Sequence, residues 1–348
     1  MDEEAAKHTQ EEHCTDYMNV THETTCWGCG LRILLSSTSS IFKCGWCGAI
    51  TNRNQSQRKP DSKWFHRWRC LRDRFFVVVV ILFMLIVICA GVWAVYPTVF
   101  SISYFCGVFH CSITAILSII TFSSFFLAAF RHAGRSANVE WGRYPIVGQG
   151  GLENYTFCLY CRKPKCPRTH HCRSCRTCVF DMDHHCPFIG NCVGAANHRS
   201  FIAFLVSIII SCTYVAIMTT YAAYHIWPPL EISMRYNHQH AVTVLKMVVT
   251  ALARSVLLLP LRGFVLIYLA FASLSVEIGI FVLLWQQLCL IYEGNTYINS
   301  LSFENNIDVG RGCHNLLCFF GCPYLAYRIL LGSANAIKFQ QRLSSKLL

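Results

Sequence analysis

The chain has 348 residues, of which 54% are hydrophobic and only 14% charged, where soluble domains carry about 25% charged residues. That balance excludes disorder over most of the length, the length excludes a small disulfide scaffold, and the shortage of charge calls for membrane spans. The net charge of +12, from 30 Lys+Arg against 18 Asp+Glu, suits anionic lipid, an anionic ligand or nucleic acid and by itself selects none of them.

The start, Met1 to Ala5, is acidic and no apolar stretch follows it, so no signal peptide is expected and the N-terminus is expected in the cytosol. Thiols stay reduced there, so the 22 cysteines point to metal binding or catalysis before disulfides. Residues 1–25 are expected to form an acidic, flexible tail. Within 26–50, Cys26-x-x-Cys29 is followed after fourteen residues by Cys44-x-x-Cys47. This is the spacing of a four-thiolate zinc ribbon, with two knuckle turns and a short hairpin between them. A closed site of that kind is structural, and its expected role is a small docking module ahead of the membrane.

Residues 51–74 form a basic juxtamembrane segment, with seven Lys/Arg against two Asp between Arg58 and Arg74. Four apolar runs follow, each long enough for a hydrocarbon core that takes about 20 helical residues. The first is Phe75 to Tyr96, and the second lies within Ile102 to Phe130, so residues 75–130 hold spans one and two. The third is Phe201 to Trp227 and the fourth is Phe264 to Tyr292, with a non-cytosolic segment between them inside 201–292. Glu277, in the fourth, faces either a polar groove or the bundle interior. The stretch 241–261 holds Lys246 and Arg254 about 80° apart on a helical projection, and it reads as an interfacial or packed helix and not as a fifth span. Residues 293–348 form the C-terminal tail.

The segment 131–200 holds ten Lys/Arg against four acids, while the joint Pro97 to Ser101 has no charge. The positive-inside rule therefore puts the N-terminus, 131–200 and the tail in the cytosol. The glycosylation sequons at Asn19, Asn54 and Asn154 all fall on that side and are expected to stay unused.

Between Cys158 and Cys192 lie eight cysteines and four histidines. Few large apolar residues accompany them, so bound metal must supply the folding energy. Eight ligands would make two closed tetrahedral zinc sites and leave a surplus. The surplus includes Cys186 in Asp183-His184-His185-Cys186. With His184 as a base and Asp183 to orient it, Cys186 fits the logic of a covalent catalyst. On the same chemistry Cys186 could be one more zinc ligand.

The sequence Asp183-His184-His185-Cys186-Pro187, in a cysteine-rich segment flanked by pairs of spans, resembles the DHHC family of protein S-acyltransferases. Asn191-Cys192-Val193-Gly194 and Asn197 agree with the same pattern, and the resemblance covers roughly Phe75 to Gly321. It implies a mainly α, polytopic membrane protein with four transmembrane helices and a cytosolic, zinc-bound cysteine-rich domain of short β-hairpins between helices 2 and 3. It implies one zinc held by Cys158, Cys161, His171 and Cys178, and a second held by Cys172, Cys175, His185 and Cys192. His184 is then catalytic and His185 structural. Cys166 is left without a place, and His170 and His198 read as surface histidines. Asn315 to Gly321 resembles the family's C-terminal Asn–aromatic–Gly motif, in which the asparagine anchors the tail against the catalytic domain.

Two departures stand out. Phe188 replaces the Trp usual after the motif's Pro, so function is expected to survive with altered packing near the acyl entrance. The family's Thr-Thr-x-Glu element is replaced by Thr296-Tyr297-Ile298-Asn299, which puts its contact with the catalytic Asp in doubt.

The expected chemistry is transfer of a long acyl group, as from palmitoyl-CoA, to cysteines of membrane-associated substrate proteins through a thioester on Cys186. Lys165 and Arg168 are candidates for the CoA phosphates, and Ser211 is a candidate for setting acyl length. Cys313, Cys318 and Cys322 are further candidates for acylation. The expected partners are palmitoyl-CoA, the bilayer and cytosolic protein cysteines, with no nucleic acid. The expected location is an endomembrane (Golgi or endoplasmic reticulum) or the plasma membrane. The competing readings are a non-catalytic zinc scaffold and a ubiquitin-ligase-like zinc module.

Overall fold

A computed structural model describes residues 22–35, 41–52, 62–134, 149–228, 241–301 and 312–321. Most of residues 1–25, the sequons at Asn19 and Asn54, and Cys322 lie outside them. The chain forms two compact units. One gathers described residues of Met1–Asp61, Arg135–His171 and Arg176–Cys178, and the other those of Ser62–Gly134, Cys172–Cys175 and Val179–Leu348. The 131–200 segment is therefore shared between the units.

The first unit is built from short strands. β1 (His22–Thr25) pairs antiparallel with β2 (Arg32–Leu35), and β3 (Ile41–Lys43) with β4 (Ile50–Asn52). Each Cys-x-x-Cys turn of 26–47 thus sits at the tip of its own hairpin. This differs from the single hairpin between two turns expected from the spacing, and β1 lies ahead of Cys26, the first cysteine of the ribbon. β4 continues sideways into β5 (Thr156–Cys158) through the parallel pair Ile50↔Thr156, and β5 pairs antiparallel with β6 (Lys163–Lys165). β7 (Thr169–Cys172) and β8 (Thr177–Phe180) carry the next ligands.

The second unit contains the hairpin of β9 (His184–Cys186) and β10 (Asn191–Val193) and the long helices. α1 runs Lys63–Ile102, α2 Tyr104–Phe130, α3 His198–Ile226 and α5 Leu261–Tyr292; these are four helices long and apolar enough to cross a membrane. α4 (Ala241–Leu257) forms a helix but is not among them. The uncharged joint expected at Pro97 to Ser101 is itself helical, because α1 continues through Pro97 to Ile102. The true link is Ser103, which ends α1 and whose hydroxyl accepts from the Cys106 amide at the start of α2. α6 (Tyr297–Ser300) and α7 (Cys313–Phe320) follow α5.

The core nearest β9 joins Phe125, Phe201, Ile202, Leu205, Val193 and Ile291 with Cys186 itself. Small polar residues tie α2 to α3: Ser124 Oγ meets Ser207 Oγ at 3.1 Å, and Thr121 meets Ser211 at 3.1 Å. Hydroxyl pairs of this kind let apolar helices approach closely and satisfy each other away from water. Glu277 accepts from Thr213 at 2.7 Å, so this acid faces the neighbouring helix α3.

Candidate active site and metal centres

Strand alternation separates the side chains of His184, His185 and Cys186. Successive side chains of a strand point to opposite faces, so His184 and Cys186 share one face of β9 and His185 takes the other. The register then sets Cys192 opposite His185 and Val193 opposite His184. The turn from β9 to β10 is Pro187 to Gly190, closed by the Gly190 amide on the Pro187 carbonyl at 3.1 Å. Gly190 sits at φ 63°, and a Cβ there would lie 2.9 Å from Val77 Cγ2 on α1. Both conformation and space therefore require glycine.

Asp183 is fully buried and accepts three hydrogen bonds. The His184 Nδ1–H donates to Oδ2 at 2.7 Å, Gln287 Nε2 to Oδ2 at 2.9 Å, and the Tyr297 amide to Oδ1 at 2.7 Å. Burial alone would push this carboxyl up; the bonds from His184, Tyr297 and Gln287 outweigh it and hold it below the ordinary carboxylate range. For His184 burial again works against charge, but hydrogen bonds with Asp183 and with Cys186 push its pKa up to about 9. The ring packs edge-on against Phe201 at 5.5 Å. This is a fixed imidazole between a buried carboxylate and a thiol, the arrangement of an activated nucleophile.

Two members of this network were not legible in the sequence. Gln287, buried on α5, accepts from His198 Nε2 at 2.9 Å while donating to Asp183. His198 is accordingly buried, which corrects its reading as a surface histidine, and Phe319 of α7 packs against it at 4.9 Å. The Gln286–Gln287 pair in an apolar span was the only signal available. His170 lies half-buried on β7.

Cys186 lines an apolar cavity of about 490 Å³ between α1, α2, α3 and α5. Phe188, Ser211, Tyr214 and Ser273 also line it, and the Phe188 ring packs tilted against Phe76 with centroids 5.1 Å apart. Such a volume suits a long hydrocarbon ligand, and its walls offer almost no polar partner.

Among the described residues, three groups of four side chains could each hold a metal ion: Cys26, Cys29, Cys44 and Cys47; Cys158, Cys161, His171 and Cys178; and Cys172, Cys175, His185 and Cys192. Zn–S bonds of about 2.3 Å and Zn–N bonds of about 2.05 Å in a tetrahedron imply S···S edges of about 3.8 Å and S···N edges of about 3.6 Å. In the third group His185 Nδ1 stands 3.6, 3.4 and 3.6 Å from Cys172, Cys175 and Cys192. In the second, His171 Nδ1 lies 3.2 Å from Cys161 and 3.8 Å from Cys178, with Tyr160 stacked on its ring at 4.8 Å. The donors fit zinc, and all the described cysteines are free of disulfides. Asp73 on α1 adds a residue that sequence reading passed over. Its Oδ2 accepts from His185 Nε2 at 2.9 Å, and Arg72 pairs with Oδ1 at 2.7 Å. A carboxylate behind a ligating imidazole fixes which nitrogen faces the metal.

Residues 152–304 match the family model of the DHHC palmitoyltransferases. The chain carries a DHHC palmitoyltransferase domain. Palmitoyltransferase pfa3 of Emericella nidulans is 29% identical over 134 residues, which are 38% of this chain and 24% of that protein. Palmitoyltransferase ZDHHC16A of Danio rerio is 47% identical over 74 residues, 21% of this chain and 19% of the relative. Palmitoyltransferase ZDHHC15 of Homo sapiens is 39% identical over 84 residues, 24% of each. The chain thus spans about a fifth to a quarter of these relatives' own lengths.

The departures of this DHHC domain from the family pattern have local explanations. Thr296 caps α6 by accepting from the Asn299 amide, and the contact with Asp183 is made by the Tyr297 backbone N–H, whatever the side chains at 297 and 299. Asn315 donates to the Tyr292 carbonyl at 2.9 Å, so it ties α7 to the end of α5, and the link to the site runs through Phe319 and His198. Lys165 ends β6, and Arg168 occupies a left-handed turn position at φ 64°; both are half-buried in the first unit. Cys166 meets Thr169 Oγ1 at 2.9 Å and belongs to none of the three metal groups. Cys313 and Cys318 are exposed on α7.

Proposed function

We propose that the chain is a protein S-palmitoyltransferase that moves a long acyl group from acyl-CoA to cysteines of membrane-associated proteins through a thioester on Cys186. The observation that carries this reading is the buried Asp183–His184 pair beside a thiol that opens onto an apolar cavity. His184, oriented by Asp183, accepts the Cys186 proton. The thiolate attacks the thioester carbonyl, the bond to the CoA sulfur breaks, and the departing thiolate takes the proton from His184. A substrate cysteine then gives its proton to His184, attacks the acyl-Cys186 carbonyl and regenerates the thiol.

Burial at about 0.8 kcal/mol per CH₂ supports seating the chain in the cavity with its carbonyl at Cys186. Ser211, on the cavity wall, is the residue we assign to sensing acyl length. Lys165 and Arg168 supply cationic charge for the CoA phosphates. Cys158, Cys161, His171 and Cys178 would hold one zinc, and Cys172, Cys175, His185 and Cys192 another; closed sites of this kind supply rigidity and no reactive position. Both termini and the DHHC segment lie on the cytosolic side of an endomembrane or the plasma membrane, a placement supported by the basic flanks of the spans.

The test is steady-state kinetics of the purified protein with palmitoyl-CoA and a cysteine peptide. Double-reciprocal plots at several peptide concentrations should be parallel, as for a ping-pong route. Intersecting plots, or no transfer from protein with full zinc content, would overturn the reading.

A further inference from the structure

We infer that Cys26, Cys29, Cys44 and Cys47 hold a third, closed zinc ion, and that this centre supports the strand carrying the first ligand of the Cys158 site. The cluster lies ahead of residue 152, where the family match begins, so membership of the family says nothing about it. The physical case is independent. All four sulfurs fall within 4.8 Å of one another. Cys26 and Cys47 are 3.6 Å apart and Cys29 and Cys44 3.7 Å, close to the tetrahedral edge of about 3.8 Å for zinc thiolate and far from an S–S bond of about 2.05 Å. Four soft thiolates in a closed set select zinc over the harder cations.

The two turns are built alike. The Gly30 amide closes on the Cys26 carbonyl at 2.9 Å and the Gly48 amide on the Cys44 carbonyl at 2.9 Å; the Cys26 and Cys44 amides then reach Leu31 and Ala49. Among the described residues the buried core is Cys26, Cys44, Cys47, Ala49 and Leu152, with Trp27, Ile33 and Tyr155 packed against it only partly buried. So small a core does not hold two hairpins together by apolar burial alone, which leaves the metal to do it.

Leu152 also joins the ribbon to the segment that follows the first pair of spans. It comes from a distant stretch of chain, and that stretch is fastened to the ribbon throughout. The amides of Gly150, Leu152 and Asn154 donate to the carbonyls of Trp46, Cys47 and Gly48 at 2.9, 2.8 and 3.1 Å. The Ile50 amide donates to the Tyr155 carbonyl at 2.7 Å, and Lys43 pairs with Glu153. Trp27 lies 5.5 Å from Phe157 and donates its indole N–H to the Ile50 carbonyl. The strand so held, β5, ends at Cys158.

Elemental analysis of the full chain purified in detergent tests this directly. Wild type should contain three zinc ions per chain and a Cys44→Ser/Cys47→Ser variant two; amide exchange over 155–158 should quicken at least tenfold in the variant while 184–193 stays unchanged. Two zinc ions in wild type would overturn the third centre, and three in the variant would overturn its ligands. Unchanged exchange at 155–158 would overturn the support of β5. Should the double variant fail to fold, Leu152→Ala keeps every thiol: three zinc ions with the same tenfold rise are expected, and no rise contradicts the inference.

Discussion

The ribbon and the DHHC segment use one local device to different ends. In both, a Cys-x-x-Cys turn closes on a residue in the left-handed region: Gly30 at φ 75° and Gly48 at 79° in the ribbon, Arg162 at 50° and Arg176 at 54° in the DHHC segment. Glycine occupies that region freely, whereas an arginine there costs roughly 1–2 kcal/mol. The DHHC segment accepts that cost at two turns and gains two cations there. The deeper difference is in the thiols. Every cysteine of the ribbon belongs to its metal group, but β9 carries one imidazole to a metal group on one face and keeps a thiol off metal on the other. On the proposed mechanism, metal binding and chemistry are separated there by a single step along a strand.

The sharpest way to break that comparison is to exchange the two faces. His185→Ala should lose one zinc ion and the β9–β10 hairpin together, seen as missing metal and lost cooperative unfolding. His184→Ala should keep the full metal count while acyl transfer falls about 100- to 10,000-fold, the usual worth of a positioned base. Equal zinc loss in both variants would erase the distinction between the faces. Gln287→Ala removes one hydrogen bond to the buried Asp183 carboxylate, an interaction worth about 1.5–3 kcal/mol. Transfer should drop on the order of tenfold or more, with Gln287→Glu unable to restore it because it brings a second carboxylate to Asp183. An unchanged rate would remove Gln287 and His198 from the positioning of Asp183.

The turns give the smallest effects. Gly48→Ala should destabilise the first unit by roughly 1–2 kcal/mol from its backbone conformation alone, and more because the new Cβ would stand 2.8 Å from the Glu153 Cα. Arg176→Gly should fall within about 1 kcal/mol of wild type, since relief of the left-handed strain is offset by chain entropy. Thermal unfolding of the zinc-loaded variants distinguishes them, and a larger cost for Arg176→Gly would show that its side chain matters beyond its backbone.

The spans were legible because long apolar runs have one solution in a bilayer, and the metal groups because ligand spacing is written along the chain. The division between His184 and His185 came from the family resemblance, and the alternation of His184 to Cys186 along β9 supplies its physical basis. Asp73, Gln287 and Leu152 were not legible, because each acts on residues more than a hundred positions away through pairing that only the folded chain brings about. Asp73 is one of two acids in a basic flank, and Gln287 one of two adjacent glutamines in an apolar span. The departure at Thr296 to Asn299 misled in the opposite direction: the bond to Asp183 comes from a backbone amide, which a side-chain motif does not record.

The central claim is that Cys186 is the thiol of the DHHC segment that carries the acyl group, whereas every other cysteine between Cys158 and Cys192 except Cys166 belongs to a metal group. Intact-mass analysis of the zinc-loaded protein after brief exposure to palmitoyl-CoA tests it most directly. The account predicts one hydroxylamine-labile palmitoyl adduct mapping to the Cys186 peptide, formed at a rate matching turnover and absent in Cys186→Ser. Undiminished transfer by Cys186→Ser, or a turnover-matched adduct on another cysteine, would contradict it.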